Sequence, residues 1–195
     1  MLYQAYQLQS DLMSPLRLMA QSLGASLWFK DTENSPVRKM AAACDVFSRL
    51  RLTHSRPGYG ITSVTVGHVE VAVTEETTLT LPFGSLLHFK RTGDAVDMDG
   101  QPPVLLVAPL SGHFATLLRE TLRTLLQDHD VYITDWHNAR DVPLRHGAYG
   151  LDDYIDNVIT FGEAITADTG HRSHWVAVCQ PCVAALAAAA IMAED

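Results

Sequence analysis

The chain has 195 residues, 47% of them apolar and 18% charged, with a formal charge of −8, so it can bury one sizeable core and is neither a disordered nor a repeat protein. No Lys/Arg-rich stripe exists to neutralise phosphates, which excludes nucleic acid as a partner and electrostatic attraction to an anionic membrane. Nothing near the N-terminus joins a basic flank to a continuous apolar run, and the longest apolar run, Val183 to Ala193, is too short and alanine-rich to span a bilayer; a cytoplasmic protein without a transmembrane segment is expected.

In chain order, Leu2, Tyr6, Leu8, Leu12, Leu16, Met19 and Leu23 recur at three- and four-residue spacings, interrupted by Ser14-Pro15 and closed by Gly24. This predicts two short helices, or one kinked at Pro15. A further helix follows Pro36, with Met40, Ala43, Cys44, Phe47 and Leu50 on one face and Arg38, Lys39, Asp45 and Arg49 on the other. Residues 1–57 therefore read as an N-terminal helical segment. The run Arg56-Pro-Gly-Tyr-Gly ends that pattern, and a Thr- and Val-rich stretch from Ile61 to Leu81 follows. Alternation from His68 to Val73 predicts a half-buried strand and Leu86 to Lys90 another, an antiparallel pair leading into the main sheet.

After a turn at Asp97 to Pro103 the order becomes strand, helix, strand, helix, strand, helix. The strands are Val104 to Ala108, Asp130 to Thr134 and His174 to Val178. Between them stand a helix striped by Leu117, Leu118, Leu122, Leu125 and Leu126, and another from Leu151 to Ile165 with aspartates in its first turns. Alternation of this kind predicts an α/β fold with a parallel sheet, helices on both faces and functional residues at the carboxyl ends of the strands. Three segments occupy that edge: Pro109 to Phe114, Asp135 to Arg140 and Cys179 to Cys182.

The last of these carries the clearest chemistry. The run Trp175-Val-Ala-Val-Cys179-Gln-Pro-Cys182 stops at a cysteine and passes directly into Val183-Ala-Ala-Leu. A nucleophile on a tight strand-to-helix turn needs small residues two before and two after it, because the two backbones nearly touch there. Ala177 and Pro181 fill those positions in place of glycines, and a proline in the first helical turn loses no hydrogen bond. Cys179 is thus the candidate nucleophile, its thiolate favoured by the positive end of the following helix. The Gln180 backbone N–H is one candidate oxyanion donor. The Ser111 backbone, in the glycine-containing loop after Val104 to Ala108, is the other, although Ser111 and Gly112 also suit an N-cap and a turn. His113 and His137 are candidates to line the substrate. A catalytic His137 is disfavoured, because it precedes the nucleophile in the chain and lies on the strand expected beside it, whereas this chemistry brings its histidine from later strands. The three cysteines fit a reducing compartment better than a disulfide framework. Cys179-x-x-Cys182 has no second pair for zinc, so neither a metal nor a redox centre is expected and no cofactor is implied. Cys44 reads as a small core residue, and Cys182 as a helical residue turned into packing.

These residues resemble the N-terminal half of the intracellular polyhydroxyalkanoate depolymerases, an α/β-hydrolase family that degrades poly(3-hydroxybutyrate) storage granules. The likeness runs through Met1-Leu-Tyr-Gln, Thr80-Leu-Pro-Phe-Gly-Ser, Val104-Leu-Leu-Val-Ala-Pro-Leu-Ser-Gly-His-Phe-Ala, Asp128-His-Asp-Val-Tyr-Ile-Thr-Asp-Trp-His-Asn-Ala-Arg-Asp-Val-Pro, Gly150-Leu-Asp-Asp-Tyr-Ile-Asp and Val176-Ala-Val-Cys-Gln-Pro. The resemblance implies a partial α/β-hydrolase fold over residues 58–195, ester hydrolysis through a cysteine nucleophile that maps onto Cys179, and the polymer or granule surface as partner. It implies also that the acid and the histidine fall beyond Asp195, so that the chain is truncated after the nucleophile and turns over slowly if at all. A synthase-like acyltransferase and a non-catalytic granule-binding fragment are the alternatives; the first would extend a polymer from a hydroxyacyl-CoA instead of releasing hydroxybutyrate. The helix after Pro181 ends on Glu194 and Asp195, against the negative end of its own dipole and without a C-cap, and a half-sheet would leave an unpaired strand edge prone to self-association.

Overall fold

The computed structural model describes residues 8–28, 36–50, 56–92, 101–110, 114–139 and 141–194, and the chain divides into two units, Met1–Ser55 and Arg56–Asp195.

The first unit is helical. Residues 8–12 form a short helical stretch, the pattern breaks at Met13, and α1 runs over Ser14–Trp28, so the interruption falls two residues before Pro15, which sits harmlessly in the first turn of α1. Gly24 does not close the helix as its position suggested. It is buried within α1, and a Cβ there would stand 3.3 Å from Cys44 Cβ and 3.5 Å from the Ala41 carbonyl oxygen, so it permits close contact with α2, Pro36–Arg49. That contact also turns α2 from its expected orientation. Ala41 is the fully buried residue, Cys44 and Phe47 are half-buried, and Met40, Ala43 and Leu50 are exposed. The smallest residues win the helix crossing because they let the backbones approach.

The second unit is built on a six-stranded mixed sheet in the order β1-β2-β3-β5-β4-β6. Strands β1 (Ser63–Val66) and β2 (Val69–Leu81) form a hairpin in which Val66 opposes Val69. Its two-residue turn is Gly67, at φ +61°, and His68, so His68 lies in the turn and not in the strand where alternation placed it. Strand β3 (Gly84–Thr92) pairs antiparallel with both β2 and β5 (Asp130–Trp136). Strand β4 (Pro103–Val107), buried throughout, pairs parallel with β5 on one side and with β6 (His174–Ala177) on the other. The parallel core and the antiparallel lead-in therefore stand as expected, with β6 at the sheet's edge. The expected adjacency of the His137 strand and the Cys179 strand does not hold, because β4 lies between β5 and β6.

Each face of the sheet buries its own apolar layer. A 3-10 turn at Ala115–Leu118 continues into α3 (Arg119–Leu125), and Leu118, Leu122 and Leu126 pack on Leu87, Phe89, Leu106, Val131 and Ile133. On the opposite face, Tyr154, Val158, Phe161 and Ile165 of α4 (Leu151–Thr169) and Ala184 and Ala188 of α5 (Pro181–Glu194) cover Leu86, Leu105, Val107 and Tyr132. Helix α4 starts where Asp153 accepts a hydrogen bond from the Gly150 N–H at 2.7 Å. It runs one turn past Ile165, until Gly170 adopts the left-handed conformation (φ +73°) that ends it. Gly162 lets α4 sit down on β6: a Cβ there would lie 2.6 Å from Trp175 Cζ2.

Candidate active site

The chain leaves β6 at Ala177, turns at Val178 to Gln180 and enters α5 at Pro181. Within that turn Cys179 has φ +69°, and among the described residues it is the only non-glycine at positive φ. An L-residue held in this region costs about 1–3 kcal/mol, so the surrounding structure must impose it. Pro181 is buried at the start of α5, and Ala184, Ala185 and Ala188 let that helix lie close to the sheet. The Cys182 N–H donates to the Cys179 carbonyl at 3.2 Å, closing the turn. Strand and helix are thus pinned on both sides of Cys179, and the cysteine itself is exposed.

The loop after β4 is fixed against this turn. Gln180 Oε1 accepts from the Leu110 N–H at 3.2 Å, a tether between segments seventy residues apart in the chain. The end of β4 is braced from β5 as well: the Ala108 N–H donates to Thr134 Oγ1 at 2.9 Å, and Trp136 Nε1 donates to the Ala108 carbonyl at 2.8 Å. The Gln180 backbone N–H has no hydrogen-bond partner among the described residues, which leaves it open for an incoming oxygen. Leu110 N–H is occupied by the Gln180 side chain and is not an oxyanion donor. Ser111 and His113 lie outside the described residues.

His137 is placed differently. It follows β5 on the side of β3, where its backbone N–H donates to the Phe83 carbonyl at 2.9 Å and its Nδ1 lies 3.1 Å from the Pro82 carbonyl oxygen. A carbonyl only accepts, so Nδ1 carries the proton, and Nε2 faces the Ser85 hydroxyl at 2.9 Å. Both ring nitrogens are engaged with the β2–β3 turn. His137 is not brought to Cys179, and its role here is to lock that turn onto β5.

Asp135, at the end of β5, is clasped by Arg56, whose Nε lies 2.9 Å from Asp135 Oδ2 while Nη2 lies 3.3 Å from Glu75 Oε1. Burial raises the Asp135 carboxyl above the ordinary carboxylate range, and Arg56 opposes that shift without cancelling it. On the other side of the sheet the Tyr154 hydroxyl is buried without a hydrogen-bond partner, edge-on to Trp136, and burial pushes its pKa up. Cys182 departs from expectation: it is exposed, and its Sγ donates to the Ala177 carbonyl at 3.3 Å instead of packing inward. The reason is α5 itself, which turns its alanines to the sheet and leaves Cys182 on the flank. Sequence reasoning missed the Gln180 amide, Thr134 and Trp136 as bracing groups; each acts across long chain separations that no local pattern records. Among the described residues no group of three or more His, Cys, Asp or Glu side chains could hold a metal ion, and no helix is long and apolar enough to cross a membrane.

No protein-family model, no curated protein and no solved structure matches the chain.

Proposed function

We propose that the chain carries the nucleophile half of an ester hydrolase of the α/β-hydrolase type, acting on poly(3-hydroxybutyrate) or its granule surface as the intracellular polyhydroxyalkanoate depolymerases do. The observation that carries this reading is Cys179: exposed, at positive φ, on a strand-to-helix turn at the carboxyl edge of parallel strands, flanked by Ala177 and a buried Pro181. The strained conformation is what a nucleophile elbow demands. The parallel order β5-β4-β6 with helices on both faces supports the same fold.

In the first half-reaction the Cys179 thiolate adds to the ester carbonyl carbon, and the negative charge gathers on the carbonyl oxygen. The Gln180 N–H meets that oxygen; one such donor is worth about 3–4 kcal/mol in comparable sites. Collapse expels the alcohol end of the polymer, which takes up a proton, and leaves the hydroxyacyl group as a thioester on Cys179. Water cleaves the thioester in the second half-reaction, releasing the hydroxy acid and restoring the thiol. That step needs a general base, and His137, with both ring nitrogens held, is not assigned to it.

The test is to incubate the chain with amorphous poly(3-hydroxybutyrate) granules and with soluble 3-hydroxybutyrate trimer, and to recover the protein for peptide mass analysis. A hydroxybutyryl thioester on Cys179 is expected. Labelling by neither substrate, where a simple activated acetyl ester does label Cys179, would keep the nucleophile and overturn the polymer assignment.

A further inference from the structure

Cys179 and Cys182 form a pair as well as a sequence motif. Both thiols are exposed. The 3.2 Å hydrogen bond from the Cys182 N–H to the Cys179 carbonyl closes a single turn, whose end Cα atoms lie within about 7 Å of each other. A disulfide needs Cα atoms roughly 4.4–6.8 Å apart, a separation within the span of such a turn. Side chains on a helix lean toward its N-terminus, and Cys182 lies in the first turn of α5, so its thiol leans back toward the elbow. Its contact with the Ala177 carbonyl, 3.3 Å away and two residues before Cys179, fixes that direction. Cys44, the third cysteine, belongs to the other unit and is only half-buried, which makes it an internal control.

We infer that Cys179 and Cys182 are a reactive dithiol whose substrate is a hydroperoxide, and that they close reversibly into an intramolecular disulfide that withdraws the nucleophile. The Cys179 sulfur attacks the outer peroxide oxygen, breaking the O–O bond, releasing an alcohol or water and leaving a sulfenic acid. The Cys182 thiol then attacks that sulfur, the S–S bond forms, and the hydroxyl leaves as water. Two thiols lose two electrons and two protons, and the peroxide is reduced by two electrons. A small dithiol reverses the step by exchange. The Tyr154 hydroxyl, buried without a partner among the described residues, lies in the neighbourhood of Cys182.

The inference does not depend on which carbonyl Cys179 attacks. Cys179→Ser and Cys182→Ser separate the two roles. The full chain is treated with a small excess of hydrogen peroxide, its free thiols are then alkylated, and peptides are mapped. The expected product carries a Cys179–Cys182 disulfide, lighter by two hydrogens, with Cys44 alkylated and both thiols recovered after dithiothreitol. In Cys182→Ser the same treatment is expected to carry Cys179 on to the sulfinic acid, which dithiothreitol does not reverse. Recovery of the native chain with Cys179 as sulfinic acid and Cys182 alkylated would overturn the inference, as would alkylation of both thiols after peroxide. Because this readout uses no ester, a disulfide without acylation rejects the proposed function alone, and acylation without a disulfide rejects the dithiol alone.

Discussion

Cys179 and His137 both stand where a strand in the parallel part of the mixed sheet ends, and they are held in opposite ways. Around His137 every polar atom of the imidazole has a partner, the backbone N–H is bonded to Phe83, and the neighbouring Gly84 is pressed under Trp136. Around Cys179 the flanking residues are pinned while the cysteine itself is exposed and strained, and among the described residues its side chain has no hydrogen-bond partner. The difference teaches that position at the carboxyl edge of the sheet does not by itself make a residue reactive. Satisfied groups hold the frame, and the group left unsatisfied by a frame that forces its conformation is the one available for chemistry.

Replacing Cys179 by alanine is expected to have the largest effect, a loss of acylation by an activated ester of about a thousandfold or more, read by the rate of phenol release. The two glycines beneath tryptophans come next. Gly162→Ala places a Cβ 2.6 Å from Trp175 under the elbow strand, and Gly84→Ala places one 2.7 Å from Trp136 beside His137. Each should cost about 1–3 kcal/mol in urea unfolding, and only Gly162→Ala should also slow acylation, because it displaces β6. His137→Ala should cost about 1–2 kcal/mol through its lost hydrogen bonds, with acylation unchanged within about twofold. A hundredfold drop in acylation there would erase the contrast between the two strand ends.

Smaller effects sharpen the comparison further. Gln180→Ala removes the tether to Leu110, a neutral hydrogen bond worth about 0.5–1.5 kcal/mol, so stability should fall by about that much and acylation by up to about tenfold. Asp135→Asn tests the frame electrostatically. With its pKa raised in the folded state, the ionised carboxylate costs stability, and that cost is absent below the ordinary carboxylate range and fully present above the raised value. The variant should therefore be the more stable protein at neutral pH, and its advantage should disappear as the pH falls through the carboxylate range, as followed by urea midpoints.

The framework was legible because it is local. Continuous apolar runs such as Val104 to Ala108 announced buried parallel strands, the leucine stripe announced the helix over Ala115–Leu125, and Ala177, Cys179 and Pro181 announced a tight strand-to-helix turn. What local pattern could not supply was lateral order: nothing in the residues between Asp130 and Val178 says that β4 separates β5 from β6. That is why His137 stood, in sequence, on the strand beside Cys179. The orientation of α2 and the exposure of Cys182 were misread for a related reason. Packing there is decided by which small residues, Gly24 with Ala41 or the alanines of α5, let two backbones meet, and hydrophobic periodicity does not weigh that. The bracing hydrogen bonds from Gln180, Thr134 and Trp136 join residues distant in the chain and became visible only in three dimensions.

The central claim is that Cys179 is the acyl-accepting nucleophile, and the most direct measurement is to locate the acyl group after brief exposure of the native chain to an activated 3-hydroxybutyryl ester. Digestion and mass mapping should find one hydroxybutyryl group on Cys179, absent in Cys179→Ala and retained in Cys182→Ala and Cys44→Ala. An acyl group on Cys182 or Cys44, or none on any cysteine of the folded chain, would contradict it.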